Sequence, residues 1–74
     1  MERILFDYSK LKGRIVEKCG SQKSFADQLR ISEPTMTSKL SGATYFTQSE
    51  INRAMAILDL EPGTVSEYFF TPRV

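Results

Sequence analysis

The sequence of this 74-residue chain predicts an all-α fold, with five short helices in one compact domain. Apolar residues recur at helical spacing along most of the chain, and no segment shows the sustained alternation that is typical of a half-buried strand. Capping residues, glycines and prolines separate the apolar stretches from one another. Helices this short suit a globule in which they cross at steep angles. The predicted helices cover about residues 8–19, 22–29, 33–41, 48–58 and 62–69.

Capping residues and apolar stripes mark the first three helices. Asp7, Ser21 and Ser32 can each cap the helix that follows, and Gly20 can end the first helix. Pro34 fits the first turn of the third helix, where its missing N–H is not needed. The side chains expected to be buried are Tyr8, Leu11, Ile15, Val16 and Cys19 on the first helix, Phe25, Ala26 and Leu29 on the second, and Met36 and Leu40 on the third.

The fourth helix has the clearest start in the sequence. Thr47 and Glu50 have the spacing of a capping box, and Phe46 and Ile51 have that of a hydrophobic staple. Pro62 can open a short fifth helix. The side chains expected to face the core are Ile51, Ala54, Met55 and Leu58 on the fourth helix and Val65, Tyr68 and Phe69 on the fifth.

The length and composition limit the domain count and the kinds of function. We expect one domain over residues 1–74, with residues 71–74 as a short tail because Pro72 cannot extend a helix. The absence of histidine and the single cysteine argue against a zinc site and remove the commonest general base. Gly-rich phosphate loops and paired catalytic carboxylates are also missing, so we expect no enzymatic activity and no cofactor.

The sequence also suggests where the protein acts. No apolar run approaches the roughly 20 residues that span a bilayer, so we expect no membrane partner. The lone cysteine, Cys19, fits a reducing cytoplasm. Residues 1–40 carry eight Lys/Arg and five Asp/Glu, a net charge of +3, and residues 41–74 carry two and four, a net charge of −2. The basic half is suited to a phosphate-facing surface, although an ordinary solvated surface also explains it.

Residues 22–42 carry the most informative motif. Two helices joined by a turn of three to four residues have the layout of a helix-turn-helix, whose second helix can enter a DNA major groove. The pattern resembles the Cro and phage-repressor (XRE-type) helix-turn-helix family at Gln22-x-x-Phe25-Ala26-x-x-Leu29-x-Ile31-Ser32-x-x-Thr35-Met36-Thr37-x-x-Leu40-x-Gly42. The segments FDYSKLKGRIVEKCG, FTQSEI and EYFF further resemble small phage and prophage regulators of Gram-positive bacteria. The resemblance implies a lambda-repressor-like DNA-binding domain in the cytoplasm of a bacterial host.

The resemblance also implies a set of DNA-binding residues. Gln22 and Lys23 would hold phosphates at the start of the second helix, and the exposed face of the third helix would read bases in the major groove. Thr44 and Tyr45 would lie along the DNA backbone. The residues on the third helix are Glu33, Pro34, Thr35, Thr37, Ser38 and Lys39.

The sequence departs from this family at two places. Arg30 stands in the turn, where the family usually has a glycine that adopts a left-handed backbone. Glu33 and Pro34 stand where amide or basic side chains are usual, and the third helix has no arginine to contact guanine. The exposed face of the third helix therefore has few groups suited to reading bases.

Two functions follow from these observations. The first is a Cro-type transcriptional regulator that binds double-stranded operator DNA through the third helix. The alternative is an antirepressor or modulator that binds the DNA-binding domain of a cognate phage repressor, with weak or no DNA binding alone. Acidic Glu33 and apolar Pro34 suit contact with a basic partner surface, which favours this alternative.

The apolar residues near both ends of the chain leave the oligomeric state open. They could form a homodimer contact, or at least two of them could complete the core of a small domain. These residues are Ile4, Leu5 and Phe6 near the start and Tyr68, Phe69 and Phe70 near the end.

Overall fold

The fold of the chain was obtained as a computed structural model, which describes residues 4–73. Over these residues the fold is all-α with five helices, as the sequence predicts. A 3₁₀ turn at Pro62–Thr64 leads directly into the last helix, where the sequence predicts a continuous α-helix from residue 62. The helices are α1 (Ser9–Cys19), α2 (Gln22–Leu29), α3 (Glu33–Ser41), α4 (Gln48–Ile57) and α5 (Val65–Phe69).

The predicted caps form at the starts of α2, α3 and α4. Ser21 accepts a hydrogen bond from the backbone N–H of Ser24, and Ser32 accepts one from that of Thr35. The capping box at the start of α4 makes both of its hydrogen bonds. These side chains satisfy N–H groups that the first turn of a helix leaves without partners, so each of the three helices begins where the sequence indicates.

The start of α1 differs slightly from the prediction. The carboxylate of Asp7 accepts hydrogen bonds from both the backbone N–H and the hydroxyl of Ser9, at 2.8 and 2.6 Å. Asp7 therefore does satisfy a backbone donor at the start of the helix, but Tyr8 is the residue that immediately precedes it. The first helical residue is Ser9, one residue later than predicted.

One hydrophobic core joins all five helices. Cys19, Ile51 and Met55 are partly buried against it, in line with their predicted positions. The prediction that Val16 is buried was wrong, because this residue is 59% exposed. It follows Ile15 by one residue, and one residue turns an α-helix by about 100°, which carries Val16 off the buried face. The buried apolar residues are Tyr8, Leu11, Ile15, Phe25, Ala26, Leu29, Met36, Leu40, Phe46, Ala54, Leu58 and Phe69.

Residues 71–73, which belong to the short tail that the sequence predicts, pair with the N-terminal segment. The backbone N–H of Asp7 donates to the carbonyl of Thr71 at 2.7 Å, and that of Arg73 donates to the carbonyl of Leu5 at 2.8 Å. These bonds flank an antiparallel bridge between Phe6 and Pro72. Pro72 occupies the position in this pair that needs no N–H, so its missing donor leaves no partner unsatisfied.

The turn between α2 and α3 has the left-handed backbone that its position in the motif requires. Arg30 has φ 64° and ψ 41°. The N–H of Arg30 donates to Asp27 and the N–H of Ile31 donates to Ala26, so α2 ends in a Schellman-type turn. The non-glycine residue at this point costs about 1–2 kcal/mol in backbone strain.

Replacing Arg30 by glycine is expected to raise the free energy of unfolding by about 1 kcal/mol, because glycine adopts a left-handed backbone without the Cβ clash. The gain is partly offset by the greater entropy of glycine in the unfolded chain. Urea unfolding followed by circular dichroism measures the effect. Ala43, in the loop after α3, does not have a positive φ. Ala43→Gly should therefore not raise stability, and it serves as the control. A lower urea midpoint for the Arg30 variant would contradict this account of the turn.

Candidate partner-binding surface

The outer face of α3 is exposed and held by a buried inner face. Met36 and Leu40 anchor the helix in the core. The Ser32 hydroxyl donates to the hydroxyl oxygen of Thr35 at 2.8 Å, which fixes the Thr35 side chain at the start of the helix. Ser38 is half-buried, at the margin of this face. The exposed positions are Glu33, Pro34, Thr35 and Thr37, so α3 presents these side chains on a rigid element.

Glu33 is the charged group on this face. Among residues 4–73 its carboxylate forms no ion pair and no hydrogen bond. It lies in the first turn of α3, where the positive end of the helix dipole favours a negative charge. The helix dipole therefore stabilises the charge of the carboxylate in the absence of an ion pair among residues 4–73, and the carboxylate is available to bind a cation.

Lys39 was predicted to contact DNA, and the structure contradicts this role. Its side chain is 9% exposed, and its ammonium pairs with the Glu50 carboxylate at 3.0 Å. The same Nζ donates to the carbonyl oxygen of Tyr45 at 3.0 Å and lies 5.9 Å from the centre of the Phe46 ring. Lys39 therefore ties α3 to the following loop and to α4. Its spacing of three residues from Met36 places it beside the buried stripe, and this signal could have identified the burial from the sequence.

Glu50 responds to this environment. Burial raises the pKa of the Glu50 carboxyl, but the hydrogen bond from the Thr47 N–H and the charge of Lys39 outweigh it, and the pKa is lowered from its usual 4.5. Hydrogen bonds from Ser9 likewise lower the pKa of Asp7 from its usual 3.8. Both carboxylates are therefore held in the charged form by the folded state.

These shifts predict a loss of stability in acid. Because the pKa of Glu50 is lower in the folded chain than in the unfolded chain, its contribution is complete above about pH 4.5 and is lost as the pH falls through the folded-state value. The urea concentration at the unfolding midpoint, measured from pH 7 to pH 3, should decrease once the pH is below about 4.5. The Glu50→Gln variant cannot titrate there and should lose less stability over the same range. Equal losses in both proteins would contradict the role given to Glu50.

The other predicted DNA-binding residues occupy different settings. Gln22 and Lys23 are exposed in the first turn of α2, and Lys23 pairs with Asp27 at 3.6 Å. Thr44 is exposed in the loop after α3. The Tyr45 hydroxyl in that loop donates to the backbone carbonyl of Ile4 at 2.6 Å, so this tyrosine holds the N-terminal segment against the loop.

The six apolar residues near the chain ends divide between core and surface. Phe69 is buried, and Phe6 and Tyr68 are partly buried against the core, which confirms the prediction that at least two of the six complete it. The exposed members are Ile4, Leu5 and Phe70. Aromatic rings line an apolar groove of about 320 Å³, in which the ring of Phe6 makes edge contacts with those of Tyr45 and Phe70.

Comparison with known proteins gives the family. A family model described as "Protein of unknown function (DUF739)" matches residues 4–72. The chain belongs to this family. A search of the curated proteins finds no match. The chain is similar to the modulator of repression (MOR) of the temperate bacteriophage TP901-1 from Lactococcus lactis, whose solution structure is known. The two are 42% identical over 88% of each chain, with a TM-score of 0.78.

These findings correct two predictions. Assignment to the Cro and XRE-type family was wrong, because the family that matches is the DUF739 family. Cro-type operator binding was also wrong as the main function, since the similar solved structure is that of a phage modulator of repression. The resemblance rests largely on the caps and buried stripes of α2 and α3, which determine how these helices pack and not what they bind. The alternative of a repressor modulator agrees with the comparison. Among the helices between residues 4 and 73, none is long and apolar enough to cross a bilayer.

Proposed function

We propose that this protein is a phage modulator of repression that binds the DNA-binding domain of a cognate repressor through the outer face of α3. The observation that carries the proposal is the similarity to the modulator of repression of bacteriophage TP901-1, at 42% identity over 88% of both chains. At this identity the two chains share more than a fold, which supports a related activity.

The chemistry of α3 supports a protein partner. A DNA-binding domain presents a basic surface to its operator, and a free carboxylate is complementary to such a surface. Glu33 is such a carboxylate, and exposed Pro34 beside it adds an apolar contact that loses little entropy on binding. No arginine lies between Glu33 and Ser41 to contact guanine. The face is therefore better matched to a basic protein than to DNA.

Rigidity of α3 supports the same function. Its inner face is buried through Met36, Lys39 and Leu40, and its start is fixed by the Ser32 cap. A helix held in this way keeps its outer side chains in place before a partner arrives, which lowers the entropic cost of binding. The proposed complex therefore needs little rearrangement of this chain.

A gel-shift experiment with the phage operator region tests the proposal. The purified protein is added to operator DNA with and without the cognate repressor, at about 150 mM salt to limit non-specific phosphate binding. We expect no shift by this protein alone at submicromolar concentration, and loss or alteration of the shift made by the repressor. An unrelated small helical protein at the same concentration is the control. A strong shift by this protein alone, with the repressor shift unchanged, would refute the proposal.

A further inference from the structure

Two arginines differ from the other basic side chains of residues 4–73 because no ion pair or pKa shift links them to a carboxylate. Between residues 4 and 73, five of the lysines and arginines form ion pairs with carboxylates. Lys12 and Arg73 are close enough to Asp7 to lower its pKa. The side chains of Arg30 and Arg53 form no ion pair and no hydrogen bond within this range, and both line one cleft together with Gln28, Ala56 and Ile57. This Arg30–Arg53 cleft lies where α2 packs against α4.

The backbone at Arg30 is strained, and its side chain forms no ion pair or hydrogen bond among residues 4–73. The residue has a left-handed conformation in which glycine would be less strained, and its side chain is exposed. Residues with a strained backbone cluster at functional sites. The Schellman-type turn holds the Arg30 backbone at one place, so the guanidinium extends from a fixed point at the edge of the cleft.

The lining of the cleft selects the chemistry of a ligand. A guanidinium binds a carboxylate through two parallel hydrogen bonds. Ala56 and the half-buried Ile57 add apolar surface to the cleft, which a bare phosphate cannot use. Arginine next to apolar surface is typical of the energetically important centre of protein interfaces. These features favour an acidic protein segment with an apolar side chain over a nucleic-acid backbone.

We infer that the Arg30–Arg53 cleft is a second part of the repressor-binding surface and receives an acidic segment of the repressor, with a carboxylate on the arginines and an apolar side chain against Ile57. This inference rests on the proposed function. Arg30 precedes Glu33 by three residues in the sequence, so a positive side chain and a negative side chain are both carried near the start of α3. Such an alternation fixes the orientation of a partner with the opposite pattern.

Calorimetric titration of the purified repressor DNA-binding domain into this protein tests the inference. Arg53→Ala and Arg30→Gly are each expected to weaken binding at least about tenfold, which is about 1.4 kcal/mol, because each variant loses a charge-assisted hydrogen bond to the carboxylate. Arg53→Lys should recover part of the affinity. Lys12→Ala removes an exposed charge outside the cleft and is the matched control. Arg30→Gly should bind more weakly while being more stable, a combination that damage to the fold cannot produce.

The possible results separate the two proposals. Unchanged affinity in both arginine variants, with normal binding by the wild type, overturns the cleft inference and leaves the proposed function standing. Absence of binding by the wild type overturns both. Each variant is also titrated with a 20-base-pair duplex of unrelated sequence. If the wild type binds that duplex and the arginine variants lose only this binding, the cleft is a phosphate site and the inference is overturned.

Discussion

Replacing Lys39 by alanine is expected to lower the free energy of unfolding by about 3 kcal/mol. The substitution leaves the Glu50 carboxylate without its partner, and the Glu50 side chain is only 12% exposed. It also removes the donor to the Tyr45 carbonyl and so loosens the loop between α3 and α4. Domains of this size have about 4–11 kcal/mol of stability, so the loss is a large fraction of the total. Urea unfolding at pH 7, followed by circular dichroism, measures it.

A double variant separates the charge effect from packing. Lys39→Met combined with Glu50→Gln removes both charges and keeps most of the side-chain volume, so it should be clearly more stable than Lys39→Ala alone. Both proteins retain the core residues Met36 and Leu40. If Lys39→Ala cost less than about 1 kcal/mol, the ammonium would be contributing no more than an exposed ion pair does.

Reversing the charge at Glu33 is expected to weaken binding to the repressor DNA-binding domain by at least about thirtyfold. Glu33→Lys removes an attractive charge and places a cation against the basic surface of the partner, and such changes cost 2 kcal/mol or more. Calorimetric titration at about 150 mM salt measures the loss. Glu33→Gln should have a smaller effect, because it removes the attraction without adding repulsion.

A matched reversal elsewhere controls for net charge. Glu61 is exposed and, among residues 4–73, has no ion pair, so Glu61→Lys changes the total charge equally at a distant point in the sequence. The Glu33 variant also loses a favourable interaction with the dipole of α3, which costs about 0.5 kcal/mol of stability, so its folding is checked by circular dichroism. Equal affinity losses in the Glu33→Lys and Glu61→Lys variants would contradict a specific contact at α3.

Features that depend on a few neighbouring residues were predictable from the sequence. The caps at Ser21 and Ser32 and the capping box at Thr47 act over three residues, and the structure forms all of them. The left-handed turn at Arg30 was expected from the resemblance, because the family it names usually has a glycine at that position, and the structure shows a positive φ there. Within helices, only the angular position of single residues was misplaced, as at Val16.

The candidate site was predicted only in part. The exposed positions of Glu33, Pro34, Thr35 and Thr37 followed from the stripe on the opposite side of the helix. The identity of the ligand did not follow from that stripe, because buried residues specify how two helices pack and carry no information on what the outer face binds. The burial of Lys39 was missed because the resemblance implies a DNA-binding role for this residue on the exposed face of the third helix.

The sequence by itself determined the five helices, their caps and the buried stripes, because these depend on interactions between residues three or four positions apart. Only the tertiary structure decided which side chains meet across the chain. It brought Lys39 to Glu50, residues 71–73 to the N-terminal segment and Arg30 to Arg53, pairs separated by at least ten positions. Such contacts depend on how helices pack in space, which a pattern along one helix does not encode. The outer face of α3 and the Arg30–Arg53 cleft became candidate surfaces for this reason.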